Sequence, residues 1–149
     1  FSFDSHTCRW TCHHSSLDAH GSRTIGEPMI KREHHSVVAF KDSIWIFGGR
    51  SDVGLEDDLV VLDTGSGVTE WKKPEASGEL PTHRELHSAV IVEPTGHMLV
   101  IGGQDDKGEL HEDVMMLNLY GVVWTKLQRG VIPKTHIACA CVCGELFTF

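Results

Sequence analysis

The chain contains an internal repeat with a period of a little over fifty residues. Four markers occur twice, in the same order, with the second copy 52 to 55 residues after the first. HSVV at His35 returns as HSAV at His87, and IWIFGG at Ile44 returns as MLVIGG at Met98. DLVVLD at Asp58 returns as DVMMLN at Asp113, and Trp71 returns as Trp124. A repeat of this length is the pattern of solenoids and β-propellers, in which each unit buries its apolar face against the next. The repeat therefore constrains the architecture more than any other feature.

Each unit has the pattern of four short strands. In the first unit, apolar and β-branched residues predict strands at 37–40, 44–47, 59–62 and 68–71, with turns at 41–43 and 63–67 between them. Two glycine pairs, Gly48-Gly49 and Gly102-Gly103, follow the second strand and are expected where the backbone is closely approached. No long segment has a 3.6-residue apolar period, so we expect few helices. Four strands per unit predict propeller blades.

These motifs resemble those of the kelch repeats. The diglycine is followed by Leu62 and Trp71 in one unit and by Leu117 and Trp124 in the other, with leucine in the place of the usual tyrosine. The Arg-x-x-His-Ser segments at residues 32–36 and 84–88 resemble those of large intracellular kelch adaptor proteins. The resemblance covers nearly the whole chain. It implies an all-β, kelch-type β-propeller fragment with two complete four-stranded blades and two partial ones.

The two ends of the chain match parts of the same unit. Phe3 and Trp10 repeat the spacing of Leu117 and Trp124, which predicts the end of a preceding blade, and residues 146–149 match residues 44–47. We therefore expect a preceding blade end and connecting loop at 1–31, followed by kelch repeats over 32–149. Within these, the units are about 32–84, 85–133 and a partial 134–149.

Composition narrows the classes of partner. The formal net charge is −8, which argues against a general nucleic-acid or anionic-membrane surface. No apolar run approaches the roughly 18 residues of a membrane span, and no secretory signal is recognisable at Phe1. Five cysteines are an odd number at low density, which favours a reducing, cytoplasmic location.

Two groups of cysteines and histidines invite a chemical interpretation. Cys8, Cys12, His13 and His14 are close in sequence, but zinc usually takes ligands from two separated pairs, so a loop rich in these residues is the alternative. Cys139, Cys141 and Cys143 alternate and share one side of a strand, where they replace small apolar residues or have a redox or metal role. We predict no metal site and no cofactor.

The repeated histidines and tryptophans have simpler structural explanations. His35 and His87 precede serine at equivalent positions, which predicts one hydrogen bond repeated in each blade rather than a ring of metal ligands. Trp71 and Trp124 are expected to pack between blades. No nucleophile elbow, P-loop, zincin or dinucleotide motif is present. Some kelch-type propellers are copper radical oxidases that need tyrosine ligands, and the single tyrosine, Tyr120, cannot be matched to such a site.

Alternation of strand direction sorts the loops into two groups. With strands lettered A to D, we assign the B–C and D–A connections to one face, made of residues 41–43, 63–69, 93–97, 118–121 and 143–145. Kelch propellers commonly bind peptide segments through the face with the B–C and D–A loops. The residues predicted to contact a partner are on this face: Asp63, Ser66, Val68, Glu93, Thr95, His97 and Tyr120.

The opposite group contains residues 50–57 and 104–112, lettered as C–D loops, which are rich in Asp and Glu. They are either an acidic rim that selects a basic partner or simply solvated turns capped by Asp side chains. The predicted function is a non-enzymatic module that binds a protein partner through its loops, as an adaptor or a substrate receptor. The alternative is an enzyme or a small-molecule-binding propeller whose site lies in other blades.

Overall fold

A computed structural model describes residues 2–4, 9–11, 24–93, 95–129, 135, 138–142 and 145–148. These residues form strands and no helix, so none of the described part could cross a membrane as a helix. The strands are β1 Ser2–Asp4, β2 Arg9–Thr11, β3 Thr24–Ile25, β4 Arg32–Glu33, β5 Ser36–Phe40, β6 Ser43–Phe47, β7 Arg50–Ser51, β8 Gly54–Leu55, β9 Leu59–Asp63, β10 Thr69–Lys72, β11 Ser77–Gly78, β12 Ser88–Val92, β13 His97–Ile101, β14 Asp113–Asn118, β15 Val123–Arg129, β16 Cys139–Val142 and β17 Glu145–Thr148.

Two five-stranded sheets form the predicted complete blades. The first blade has the strand order β3-β10-β9-β6-β5, and the second has the order β11-β15-β14-β13-β12. In each blade four strands are antiparallel, as predicted, and those of the first blade begin and end within one residue of their expected bounds. A short fifth strand, β3 or β11, pairs in parallel with the outer strand of its blade.

The fifth strand is a feature that the sequence analysis missed. Gly26 directly follows β3 and Gly78 is the last residue of β11, with φ of +83° and +87°. A Cβ atom added at either glycine would lie 2.2 Å from the carbonyl oxygen of Trp71 or Trp124, respectively. Only glycine allows such a close approach of the incoming chain to the outer strand. The signal was in the sequence, because a Gly-Glu pair recurs at a displacement of 52 residues.

The core lies between the two blades. Buried side chains from β5, β6 and β9 pack against those of β13, β14 and β15 in a single cluster. The ring of Phe47 lies 5.2 Å from the ring of Trp124, centroid to centroid, and Trp124 is buried. Trp124 therefore packs between blades as predicted, whereas Trp71 is half-buried. Each tryptophan is opposite a leucine of its own blade, Leu62 or Leu117.

The first two and the last two strands form antiparallel pairs outside the two complete blades. Phe3 is opposite Trp10 in the β1–β2 pair, as Leu117 is opposite Trp124 in the second blade. In the β16–β17 pair Cys139 is opposite Thr148, which corresponds to Val37 opposite Ile46. This register agrees with the match of residues 146–149 to residues 44–47.

The strand order corrects the lettering of the loops. From the inner edge outwards, β5, β6, β9 and β10 are strands A to D, so residues 41–42 and 64–68 are the A–B and C–D turns. The assignment of these residues to B–C and D–A connections was wrong, although the two groups of residues were sorted correctly. We call the turns at 41–42, 64–68, 93–96 and 119–122 the hairpin face. The loops at 48–58, 73–87 and 102–112 form the long-loop face, because antiparallel strands place them at the opposite end.

Candidate functional site

The second glycine of each pair places the start of its blade directly against the B–C loop of the same blade. Gly49 and Gly103 both have a φ of +96°, and a Cβ atom on Gly103 would lie 2.8 Å from the carbonyl oxygen of Glu85. On Gly49 the added atom would lie 2.6 Å from the carbonyl oxygen of Glu33. This is the close backbone approach that the glycine pairs predicted, and it fixes the base of each B–C loop.

An arginine, an aspartate and a lysine form the same cluster in both blades. In the second blade Arg84 donates to both carboxylate oxygens of Asp113, at 2.7 and 3.2 Å, and to the carbonyl oxygen of Gly102 at 3.0 Å. The ammonium of Lys126 lies 3.1 Å from the same carboxylate. Arg84 is completely buried. The cluster joins the D–A loop to the diglycine and to the start of strand C.

The first blade repeats this arrangement with Arg32, Asp58 and Lys73. Arg32 donates to both oxygens of Asp58 and to the carbonyl oxygen of Gly48, and the ammonium of Lys73 lies 3.4 Å from the carboxylate. The sequence analysis identified the arginines but missed the lysines and the ion pairs. Their signal was available, since both lysines follow the repeated tryptophan by two residues.

The arginine pairs keep both carboxylates charged. Burial alone would raise the pKa of Asp113, but the hydrogen bonds and charge of Arg84, with Lys126, lower it to about 2. The pKa of Asp58 is lowered by the same balance of burial against Arg32 and Lys73. At neutral pH both carboxylates are therefore ionised, and the clusters stabilise the ends of the long loops.

Glu85 connects the second blade to the B–C loop of the first. Its carboxylate accepts hydrogen bonds from Arg50 at 3.0 and 2.8 Å and from Gln104 at 3.2 Å, and it lies 3.1 Å from Nδ1 of His34. The hydrogen bonds from Arg50 are the main reason that the pKa of Glu85 is lowered to about 2, against the effect of burial. Arg50 and His34 come from one blade and Glu85 from the other, so the contact holds neighbouring loops in fixed positions.

His87 makes a hydrogen bond across the blade boundary, as predicted for one of the two repeated histidines. Its Nε2 atom lies 2.8 Å from Oγ of Ser36, so the bond crosses from the second blade to the first. Burial lowers the pKa of His87 to about 4, with a contribution from the charge of Arg84. The imidazole is therefore neutral at pH 7 and acts as a structural link between blades.

Three of the groups with shifted pKa values hold loops together: Asp113, Glu85 and His87 each have a fixed hydrogen-bond partner. Asp113 also lines a cavity with His111 and Lys126, and burial lowers the pKa of His111. No group of three metal-ligating side chains converges among the described residues. The cluster at Cys8, Cys12, His13 and His14 lies outside those residues, as do Cys143 and His136.

Cys139 and Cys141 are free thiols on the same, less exposed side of β16. Both are half-buried rather than fully buried. Cys139 packs against a small cluster that includes Ile101 and Val114. Burial raises the pKa of the Cys139 thiol, opposed by a hydrogen bond with Ser88, so the thiol is protonated at neutral pH. This is the behaviour of a packing residue.

Three of the predicted contact residues form internal bonds in the C–D turn of the first blade. Asp63 accepts from the backbone N–H of Gly65 at 2.9 Å and pairs with Lys72 at 2.6 Å. The hydroxyl of Ser66 donates to the carbonyl oxygen of Val68 at 3.2 Å. These polar groups define the turn, and Val68 is half-buried beside them.

The other predicted residues lie on the turns of the second blade. Glu93 is exposed, and Thr95 is exposed with its hydroxyl donating to the carbonyl oxygen of Val92 at 2.9 Å. His97 is half-buried at the start of β13, opposite Asn118. Tyr120 is 60% exposed, so it is the member of the set with a large apolar surface in solvent.

The long-loop face presents aliphatic tips among carboxylates. Val53 at the tip of the first B–C loop is 84% exposed, and Leu110 in the second is 45% exposed. Asp105 accepts from the backbone N–H groups of Lys107 and Glu109 at 2.9 and 2.8 Å, so this carboxylate is a turn cap. The capping interpretation of the acidic residues is thus correct for Asp105.

Other acidic side chains of this face have no cation opposite them. Within the described ranges no ion pair includes these four residues: Asp52, Asp57, Glu109 and Glu112. The arginines of the face, in contrast, are all bound to carboxylates. The exposed surface of these loops therefore carries unpaired negative charge, whereas the arginines beneath the loops are neutralised by carboxylates.

Comparison with known proteins identifies the family. Residues 1–149 match the family model described as the KLHDC2/KLHL20/DRC7 Kelch-repeats domain. The chain is 33% identical over 108 residues to acyl-CoA-binding domain-containing protein 4 of Arabidopsis thaliana, covering 71% of this chain and 15% of that protein. It is 30% identical over 96 residues to Kelch domain-containing protein 3 of Bos taurus, covering 63% of this chain and 24% of that protein. It is 29% identical over 124 residues to host cell factor 2 of Homo sapiens, covering 72% of this chain and 15% of that protein. The chain thus spans a quarter or less of each of these relatives.

Proposed function

We propose, since this chain belongs to the kelch-repeat family, that it is a non-enzymatic module that binds a partner protein through its loops. Kelch-repeat domains generally mediate protein–protein interactions. Within that class we propose the role of an adaptor or a substrate receptor in the cytoplasm. The free Cys139 and Cys141 thiols agree with a reducing location.

The long-loop face is the surface that we propose for the main partner. The observation that supports it is a rigid base below exposed tips: the buried Arg84–Asp113 pair and the Glu85–Arg50 contact fix the loops from which Val53 and Leu110 project. A pre-organised surface loses less entropy on binding than a flexible one. Corrected lettering also makes this the B–C and D–A face, through which kelch propellers commonly bind.

The charge of this face suggests the chemistry of the partner. Its unpaired carboxylates surround aliphatic side chains, so it suits a segment with Lys or Arg next to apolar residues. The hairpin-face residues, from Asp63 to Tyr120, remain a prediction for a second surface. Their turns are shorter, and several of their polar groups are used within the turns.

Affinity purification of the full-length protein from cells tests the proposal. We compare the wild type with Val53→Ser plus Leu110→Ser, and use Ser66→Ala plus Glu93→Ala on the hairpin face as the matched control. Recovery of at least one partner, measured by isotope-labelled mass spectrometry, should fall about tenfold for the first pair alone, as for loss of a good apolar anchor. Because exposed charges are screened beyond about 8 Å at physiological ionic strength, added salt should weaken the same partner.

Two outcomes would contradict the proposal. If only the hairpin-face pair lowers recovery, the predicted hairpin-face residues form the main site. If neither pair has an effect, yet Cys139→Val with Cys141→Val removes an activity from a folded protein, a chemical function has to replace the interaction module.

A further inference from the structure

Three turns of the hairpin face meet at the boundary between the two blades. The ring of Phe40, before the A–B turn of the first blade, and the ring of Tyr120, in the C–D turn of the second, are 5.4 Å apart and nearly perpendicular. A Cβ atom added at Gly96 would lie 2.5 Å from Cε2 of Tyr120 and 2.9 Å from Cζ of Phe40. Both rings therefore lie directly against the backbone of the second blade's A–B turn.

Tyr120 is exposed but not free to move. Oδ1 of Asn118 accepts from the backbone N–H groups of Tyr120 and Gly121 at 2.9 and 3.2 Å, which fixes the turn. The ring contacts Phe40 and Gly96 on one side and leaves 60% of the residue in solvent. Tyrosine with a fixed ring and a free hydroxyl is a frequent anchor in protein interfaces, since little entropy is lost when it binds.

Lys41 adds a positive charge beside these rings. Its ammonium lies 4.5 Å from the centroid of Tyr120 and 5.4 Å from that of Phe40. No ion pair among the described residues includes Lys41, whereas Lys72, the other lysine near this end of the first blade, is bound by Asp63 and Glu70. The two aromatic rings thus hold an amine whose charge is not neutralised by a carboxylate.

We propose that Phe40, Lys41 and Tyr120 form a docking site, the aromatic–lysine site, for an Asp or Glu side chain of a partner protein. The incoming carboxylate accepts hydrogen bonds from the ammonium of Lys41 and the hydroxyl of Tyr120. An apolar neighbour in the partner packs on the exposed part of the Tyr120 ring. Because this chain has a net charge of −8, a strongly acidic partner is repelled at longer range, so the site selects a single acidic residue in an otherwise neutral or apolar segment.

The site needs both blades to be correctly packed. Phe40 and Lys41 come from the first blade, Gly96 and Tyr120 from the second, and the corresponding position of Tyr120 in the first blade is Gly65. The first blade therefore does not reproduce the tyrosine of this site. The site lies at the opposite strand ends from the long-loop face, so it does not depend on the proposal made for that face.

A random twelve-residue peptide library displayed on phage tests the inference. The library is selected on the immobilised full-length protein and then depleted on the Lys41→Gln variant, which keeps the size of the side chain but removes its charge. We expect the retained peptides to contain one Asp or Glu next to an apolar residue. Their binding to Lys41→Gln and to Tyr120→Ala should be at least fivefold weaker than to wild type, and binding to Lys41→Arg should persist.

Lys107→Gln is the matched control, because Lys107 is also an exposed turn lysine without an ion pair among the described residues, on the long-loop face. It should leave binding of the same peptides unchanged. The inference is overturned if no peptide depends on Lys41, or if the dependent peptides lack an acidic residue. It is also overturned if Lys107→Gln weakens them as much as Lys41→Gln does, since the effect would then be one of net charge.

Discussion

The two complete blades contain the same cluster of arginine, aspartate and lysine, but they bury it to different degrees. Asp58 of the first blade is 24% exposed and Asp113 of the second is 10% exposed. Lys73 lies 3.4 Å from its aspartate, and Lys126 lies 3.1 Å from its own. Repetition of sequence therefore reproduces the hydrogen bonds, whereas the surroundings of each blade determine how far the charges are removed from water.

The largest expected difference between the blades concerns the two arginines. Arg84→Ala leaves Asp113 charged and buried without its main partner, which should lower the free energy of unfolding by about 3–5 kcal/mol. Arg32→Ala should cost at least about 1 kcal/mol less, because water can reach Asp58 more easily. Urea denaturation of the full chain, followed by tryptophan fluorescence, measures both values.

Arg84→Met serves as the control for lost packing, since it keeps an unbranched side chain but has no charge. It should destabilise nearly as much as Arg84→Ala if the unpaired carboxylate is the cause. Equal losses for Arg32→Ala and Arg84→Ala would show that the difference in exposure has no energetic consequence.

The repeated histidines should differ in their effect on pH dependence. The pKa of His87 is lowered from 6.5 to about 4, so its neutral form stabilises the fold fully above pH 6.5. That stability is lost as the pH falls towards 4, up to about 3 kcal/mol, because the unfolded state binds the proton first. His87→Gln should flatten the curve of unfolding free energy between pH 6.5 and 4.

His35→Gln should flatten the same curve less. The pKa of His35 is also lowered by burial, but this residue is only half-buried, whereas His87 is buried. Identical curves for His87→Gln and wild type, measured in the same buffers, would contradict the burial of a neutral imidazole at the blade boundary.

The diglycines are the place where the blades should not differ. Gly49→Ala and Gly103→Ala each force a Cβ atom to within 2.6 to 2.8 Å of a backbone oxygen at a φ of +96°. Each should cost about 2 kcal/mol or more, above the roughly 1 kcal/mol of an ordinary strand glycine, and Gly103→Val should cost more still. Urea midpoints of the full chain provide the measurement.

Gly108→Ala separates strain of the backbone from contact with neighbours. Gly108 has a φ of +79°, but an added Cβ atom would meet nothing within 4 Å. Its cost should be about 1 kcal/mol. If Gly103→Ala costs no more than Gly108→Ala, the close approach of the chain does not explain why the glycine pair is repeated in this sequence.

Much of the fold could be read from the spacing of a few residues. The strand pattern, the glycine pairs and the Leu117–Trp124 spacing predicted the blades because they depend on alternation and turns along a short stretch of chain. The loop letters were wrong because spacing alone does not show which strand lies at the inner edge. The fifth strand was missed because a strand of only two residues, at or beside a glycine, is too short to give a periodic signal.

The candidate sites depended on contacts that no local pattern contains. The aromatic–lysine site joins Lys41 to Tyr120, and the loop contact joins Arg50 to Glu85, across a blade boundary in both cases. The amino-acid sequence by itself determined that the chain folds into repeated β-blades with a repeated arginine, histidine and glycine at each boundary. Only the packing of one blade on the next decided which charges are neutralised, which are buried and which remain exposed, because Coulomb interaction and desolvation depend on distance and burial in three dimensions rather than on separation along the chain.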